Sequence, residues 1–262
     1  MIDVIVGAGG VSKANDPLLG LVSEGSPKVL LRLAGKPMVQ WTLDAIATTS
    51  RVGNVVIIGL GSQHGLSCGN KSVHYTKSVG GILDNVIAGA KKVIEVNPDS
   101  KLTMWVSADV PLITPEMLNW FIDRTDETEH DLYYQIIERR VMERRFPSSK
   151  RTFTKLKGKT VCGGDVGAFS TTIASSAHPA WRAITAARKS VARQAALVGL
   201  WPLILLLAGQ MTEESAATVI RKRLGINGVL MTCPYAEIGM DVDKPEQYII
   251  AKQELESVDV ES

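Results

Sequence analysis

Four short stretches carry side chains whose types and spacing suit chemistry on a negatively charged group. They are GAGG at residues 7–10, PKVLLRLAGKP at 27–37, SADVPL at 107–112 and GMDVDKPE at 239–246. A strand that runs straight into small residues lets backbone N–H groups approach an anion with no side chain in the way, and a lysine arriving from downstream neutralises its charge. Gly7, Ala8, Gly9, Gly10 and Lys28 therefore form a candidate phosphate cradle. The plain alternative is a tight turn that uses glycine for backbone freedom, with Lys28 a solvated loop lysine. Asp109 is a carboxylate at the end of an apolar run, where open α/β sheets bind ligands. Its plain alternative is a strand end ahead of Thr114 and Pro115, an N-cap and N1 pair. Asp243 stands three residues before Glu246, the spacing of a capping box for the last helix.

The elements that must position these residues alternate. Short β-branched runs at 2–6, 54–60 and 102–108 are followed by amphipathic stretches at 37–49, 82–96 and 115–124. That rhythm predicts a three-layer α/β/α Rossmann-like sandwich with a mainly parallel sheet, the first three strands near its centre and helices on both faces. GAGG and Asp109 then share the edge formed by the strands' C-terminal ends. Beyond Asp131, DLYYQII reads as a strand and GGDVGAFS as a strand or bend. The segment from Arg139 to Lys159 holds nine basic residues and one acid, Glu143, and reads as a loop-rich, solvated stretch. Residues 178–194 read as a basic amphipathic helix, and TEESAATVIRKRLGI as a helix with acids in its first turn and bases in its last. GVLMTCP and a helix from about Pro245 return the chain to the sheet.

Composition limits the function classes. A chain of 262 residues, 45% of them hydrophobic, buries one substantial core, and helical elaboration falls in its second half at about 178–225. A net charge of +2 argues against bulk nucleic-acid binding. Cys68, Cys162 and Cys233 lack the spacing of a zinc site or disulfide framework, and the N-terminus lacks a basic segment with an apolar h-region, so a reducing cytoplasm is expected. His64, His74, His130 and His178 sit in no Ser/His/Asp or Cys/His arrangement. The apolar run at 195–209 is fifteen residues long and interrupted by Pro202, whereas a spanning helix takes about 18 or more, so a buried or interfacial helix is expected. Following a basic helix, the run also suits an anionic membrane surface or a lipid-linked substrate; core or homodimer contact is its commoner use.

Taken together, in this order and spacing, the four stretches resemble the nucleotidyltransferases of the MobA-like NTP transferase class, over about residues 1–140 and again over 225–255. The resemblance implies a fold of the nucleotide-diphospho-sugar transferase type and a single domain. Residues 1–130 would bind the NTP, 131–235 the acceptor, and 236–262 would return a metal motif and the C-terminal helix. It implies that Gly7 to Gly10 wrap the triphosphate, that Lys28 contacts the phosphates, and that Asp109 of the D-x-P-L motif binds Mg2+. Asp243 of D-x-P-E completes the metal site, with Asp241 a spare. The reaction implied is transfer of an NMP from an NTP to a small phosphorylated acceptor, a sugar phosphate or a molybdopterin-like molecule, with release of pyrophosphate. Charge builds on bridging and leaving oxygens in such a transfer, which carboxylate-held magnesium and a lysine stabilise without any covalent intermediate.

The sequence departs from that pattern after the glycines, where the family has an arginine and this chain has the longer VSKANDPLLGLVSEGS. Lys13 is the candidate replacement, a point charge without the bidentate fork. SVGGILDNVIAGA occupies the place of a glycine-containing segment beside the base, which makes Gly80, Gly81 and Asn85 candidates there, or else simply a helix start. Arg151 and Lys155 are candidates to grip a phosphorylated acceptor, with Gly163, Gly164 and Asp165 following in CGGDVGAF. Two rivals stay open. A glycosyltransferase using a nucleotide-sugar would normally carry D-x-D at the strand end, and the D-x-D here, Asp241 to Asp243, lies late in the chain. A non-catalytic nucleotide sensor would bind without turnover.

Overall fold

The computed structural model describes residues 1–176 and 200–261. In chain order its strands are β1 (Ile2–Gly7), β2 (Arg32–Leu33), β3 (Lys36–Pro37), β4 (Val52–Ile58), β5 (Val73–Thr76), β6 (Leu102–Ser107), β7 (Leu132–Glu138), β8 (Thr154–Leu156), β9 (Lys159–Ser170) and β10 (Gly228–Cys233). The described helices are α1 (Met38–Thr48), α2 (Ile82–Val96), α3 (Pro115–Asp126), α4 (Arg139–Arg145), α5 (Thr171–Ser175), α6 (Leu200–Leu207), α7 (Glu213–Leu224) and α8 (Pro245–Glu261). β2 and β3 pair as a separate hairpin, and the main sheet runs β10-β7-β9-β6-β1-β4-β5 with β8 added to β9. β6, β1, β4 and β5 are mutually parallel, as are β7 and β10, while β9 runs antiparallel to both β6 and β7. The α/β sandwich read from the sequence is therefore the fold, with the three early strands adjacent in the sheet.

β1 is buried almost throughout because it feeds two cores, as expected of a central parallel strand. Val4 and Val6 pack with Leu43 and Ile46 of α1 and Leu118 and Phe121 of α3. Ile5 points the other way, onto Val86, Ala90 and Val93 of α2 with Val56 and Ile58 of β4. Each such side chain, fully buried, contributes about 1.5–3 kcal/mol. The period-2 alternation thus fixes helices on both faces and leaves the C-terminal ends of β1, β4 and β6 together at one rim.

Two expectations are corrected. The stretch from Arg139 to Lys159 is not a solvated loop: it contains α4 and β8. Its charges were read as solvated, whereas six of them find acids. Arg139 pairs with Glu143, Arg140 with Glu138, Arg145 with Glu237 and Glu254, Lys150 with Glu246, Arg151 with Asp241, and Lys159 with Glu213. The capping box expected between Asp243 and Glu246 gives way to other partners: Asp243 donates its N–H to Gln247 Oε1 at 3.0 Å, and Glu246 pairs with Lys150.

The helix expected at 178–194 lies outside the described residues, as does the start of the apolar run. From Leu200 that run forms α6, whose Leu205 and Leu206 pack on Ile136, Leu156, Val161 and Met211. Among the described residues no helix is long and apolar enough to cross a membrane. α7 carries the expected acids in its first turn and bases in its last; the Thr212 hydroxyl caps it, accepting the Ser215 N–H at 3.1 Å, and it ends at a left-handed Gly225.

Candidate active site

The glycine loop leaves β1 at the sheet rim, where Ala8 N–H donates to Ile58 C=O at 2.8 Å and Ala108 N–H to Gly7 C=O at 3.1 Å. Gly59, just past β4, shows why glycine is required here. Its φ is +97°, and a Cβ on it would stand 2.2 Å from Gly9 Cα. A side chain there would push the loop off the rim. On the other side Ser78 and Asn85 brace the loop, since a Cβ on Gly9 would come 2.8 Å from Ser78 Oγ and 3.2 Å from Asn85 Nδ2. Asn85 accepts the Val79 N–H at 2.9 Å, and Gly81 serves as N-cap of α2. The structure thus brings Asn85 to the glycine loop, while Gly80 and Gly81 form the turn that starts a helix.

The chain from Val11 to Pro27 doubles back on itself. Ser12 N–H donates to Ser26 C=O at 2.9 Å, and Lys28 N–H to Gly10 C=O at 3.1 Å. Lys28 thereby sits beside the glycines, its side chain mostly buried between Asp243 Oδ1 at 2.6 Å and Asp16 Oδ2 at 3.5 Å. Burial works against the ammonium, but the Asp243 hydrogen bond and the charges of Asp243, Asp16 and Asp109 hold its pKa above the ordinary value. Asp16 was missed in the sequence. Its one signal there is that no other acid lies between Asp3 and Glu24. Lys13 is exposed and makes no ion pair among the described residues.

Asp109 follows β6, and its carbonyl accepts the Val242 N–H at 2.9 Å, which lays the D-V-D segment against D-V-P. The residue is half-buried, and its Oδ1 is buried with no hydrogen-bond partner among the described residues. Burial pushes its pKa up to about 6, a hydrogen bond from Ser107 opposes that rise, and the negative charges of Asp241 and Asp243 add to it. Asp241 is engaged by Arg151, which also donates to Gly163 C=O at 3.0 Å and lies 3.7 Å from Asp165 Oδ2. Burial raises the pKa of Asp241 despite Arg151, and raises that of Asp165 well above the ordinary value, helped by Asp241 and Asp109. One rim therefore gathers Asp109, Asp165, Asp241 and Asp243 against Lys28 and Arg151. Among the described residues, no group of three or more His, Cys, Asp or Glu is close enough to hold a metal ion as it stands. Asp241 and Asp243 are each paired with a cation; among the described residues Asp109 Oδ1 and Asp165 Oδ2 are the cluster's buried carboxylate oxygens without a hydrogen-bond partner, and of the two Asp165 lies 3.7 Å from Arg151.

Two sequence candidates fall elsewhere. Lys155 lies exposed on β8, its Cβ 3.2 Å from where a Cβ on Gly209 would be, and it has no ion pair with the cluster. Gly164 packs on Gln135 and Ile238, beneath the segment that carries Arg151's partners.

A glycine loop at the sheet rim, a tethered lysine and a strand-end aspartate are what triphosphate chemistry needs. Residues 4–196 match the family described as MobA-like NTP transferase domain. The chain belongs to that family. It is a nucleotidyltransferase domain, which also sets aside the nucleotide-sugar reading. A bifunctional protein GlmU of Alcanivorax borkumensis is 34% identical over 103 residues, a match taking in 39% of this chain and 22% of that protein. A hypothetical transferase of Thermus thermophilus superposes with a TM-score of 0.79 at 28% identity, covering 94% of this chain and 99% of the other. The fold is shared with a CMP:2-keto-3-deoxy-manno-octonic acid synthetase complexed with CTP (TM-score 0.61, 14% identity, 98% of each chain). It is shared too with a 4-diphosphocytidyl-2C-methyl-D-erythritol synthase of Anaerococcus prevotii (TM-score 0.59, 12% identity, 98% and 96%).

Proposed function

We propose that the domain transfers an NMP from an NTP to a small phosphorylated acceptor and releases pyrophosphate, in the cytoplasm and with Mg2+. The observation that carries this reading is Lys28: its backbone N–H is bonded to Gly10 C=O and its ammonium to Asp243. One residue thereby ties the glycine loop to the late carboxylate. In this reading, the Gly7–Gly10 loop takes the triphosphate through the backbone N–H groups of Gly9 and Gly10, since that of Ala8 is given to Ile58, together with the Lys28 ammonium; Lys13 adds an exposed charge in place of the family's arginine, and Asn85 holds the loop's far side.

The acceptor's phosphate oxygen attacks the α-phosphorus in line. A P–O bond forms there as the bond to the bridging oxygen breaks, and the electron pair leaves with pyrophosphate. No proton transfer is required, so the protein's work is positioning and charge neutralisation. Arg151 holds Asp241, donates to Gly163 C=O and lies beside Asp165, where the acceptor is read to dock. An unpartnered oxygen and a raised pKa, shared by Asp109 and Asp165, are what a carboxylate waiting for a cation displays; Asp165 already has Arg151 beside it, so Asp109, with Asp243, is the one that fits Mg2+. Bound there, the ion would supply charge neutralisation of the departing pyrophosphate. Asp241 is then kept as the counterion of Arg151.

Pyrophosphate release from each of the four NTPs with Mg2+ and pooled phosphorylated acceptors tests this. Release that needs one NTP and one acceptor, and falls at least about 100-fold in Asp109→Asn, supports it. NTP binding without release from any pool would sink it in favour of a nucleotide sensor.

A further inference from the structure

A cavity of about 390 Å³ lies between α2, α7 and the sheet face made by β6, β9 and β7. That size falls within the range of small-molecule sites. Its position ties it to the carboxylate rim: Ser107, two residues before Asp109, lines it, as does Asp165, which lies 3.7 Å from Arg151. The remaining wall is apolar, with Leu83 and Val86 from α2, Ile220 and Leu224 from α7, and Trp105 and Phe169 from the sheet. Trp105 is opposed across the β6–β9 pair by Gly167, so the floor beside the indole is bare backbone. A glycine inside a strand weakens it, and marks a place where something else approaches closely. The indole also reaches under the glycine loop, since a Cβ on Gly7 would stand 2.2 Å from Trp105 Cζ2. The polar side chains on the wall are Ser107, Asp165 and Tyr134; Tyr133 contributes backbone only, its side chain lying on the opposite face with the hydroxyl bonded to Thr125 and Thr128 carbonyls.

We infer that the non-reacting body of the acceptor is apolar, an alkyl, isoprenoid or aryl group carrying the phosphate, and that it lies in this cavity with the phosphate toward Ser107 and toward Arg151, which stands beside Asp165. The inference rests on the nucleotidyl-transfer reading and narrows it. A sugar's ring of hydroxyls would lose water on this wall and find few partners, and each buried hydroxyl left unpaired is penalised. An apolar body gains with every methylene buried, about fourfold in affinity per CH₂.

The test compares acceptors of one phosphate and different bodies. Pyrophosphate release is measured with butyl, hexyl and octyl phosphate, with phenyl phosphate, and with glucose 1-phosphate and glycerol phosphate. Expected is a kcat/KM that climbs about fourfold per methylene until the cavity fills, exceeding that of the sugar phosphate at least tenfold. The alkyl and phenyl arms separate a flexible chain from a flat ring. Leu224→Glu, on the helical wall, should lower the ratio of octyl to glucose phosphate turnover at least tenfold, with circular dichroism and NTP affinity reporting that the domain is folded. Efficient turnover of the sugar phosphate, indifferent to chain length in the alkyl series, overturns the inference and leaves the transferase reading standing. If no acceptor is turned over, the transferase reading fails, and direct titration then decides: octyl phosphate quenching emission in wild type and not in Trp105→Phe supports an apolar-phosphate site, and no quenching overturns it.

Discussion

Asp109→Asn is expected to make the metal-free protein more stable while abolishing its activity. The carboxyl's ordinary pKa of 3.8 rises to about 6 in the fold, chiefly because burial disfavours its charged form. Below about pH 3.8 the group is protonated whether the chain is folded or not, and nothing is lost. As pH climbs through 6, the folded state must carry a charge that it holds poorly, and above that the deficit is about 3 kcal/mol. Asparagine removes the charge, keeps an oxygen to accept from Ser107, and offers an N–H₂ toward Asp241 and Asp243. In EDTA at pH 7.5 the variant should therefore gain up to about 3 kcal/mol, several degrees in Tm for a chain of this length, and the gain should fade toward pH 4. Mg2+ at ten times its Kd should add about 1.4 kcal/mol to the wild type and nothing to the variant. Thermal unfolding by circular dichroism across this pH range, with and without Mg2+, reads all three effects. A variant less stable than wild type at pH 7.5, or a difference that pH does not change, refutes the assignment of Asp109 as a buried, uncompensated carboxylate.

Gly59→Ala must relieve both a positive φ and a 2.2 Å approach to Gly9, costing about 2–5 kcal/mol, and should weaken NTP binding because the displaced loop is the phosphate cradle; wild-type Tm and NTP affinity would contradict it. Arg151→Met leaves Asp241 and Asp165 facing each other without their cation, for a loss of about 3 kcal/mol at pH 7.5. Since both carboxyls already have raised pKa values, the loss should shrink as pH falls and they protonate, which urea unfolding at pH 7.5 and 5 would check. Thr212→Ala removes the α7 cap and should cost about 1 kcal/mol in the same assay with NTP affinity unchanged.

Much of this molecule is local, and so was legible. Strand and helix periods place β1, α1, β4, α2, β6 and α3 within a residue or two, because one buried face repeats every two or 3.6 residues whatever lies across from it. The acids in the first turn of α7 and the bases in its last follow from the same near-neighbour chemistry. The segment after Arg139 was illegible for the converse reason. Its bases look like a solvated run until Glu237, Glu246, Glu254 and Asp241 arrive from about 90 residues away to pair with them.

The candidate site divides the same way. Residue type and strand-end position single out the glycine loop, Lys28, Asp109 and Asp243, since those signals need only a strand followed by small or charged residues. Who touches whom was decided by the tertiary structure alone. Lys28 meets Asp243 across 215 residues, Asp16 joins them through a loop that doubles back, and Arg151 takes Asp241 out of the set that would otherwise share a cation. Gly59 and Trp105 support the glycine loop from neighbouring strands, a role no spacing along the chain announces. Periodicity is written residue by residue, but a charge's partner depends on which strand ends share a rim. That is set by the order of strands in the sheet, which the antiparallel insertion of β9 between β6 and β7 completes.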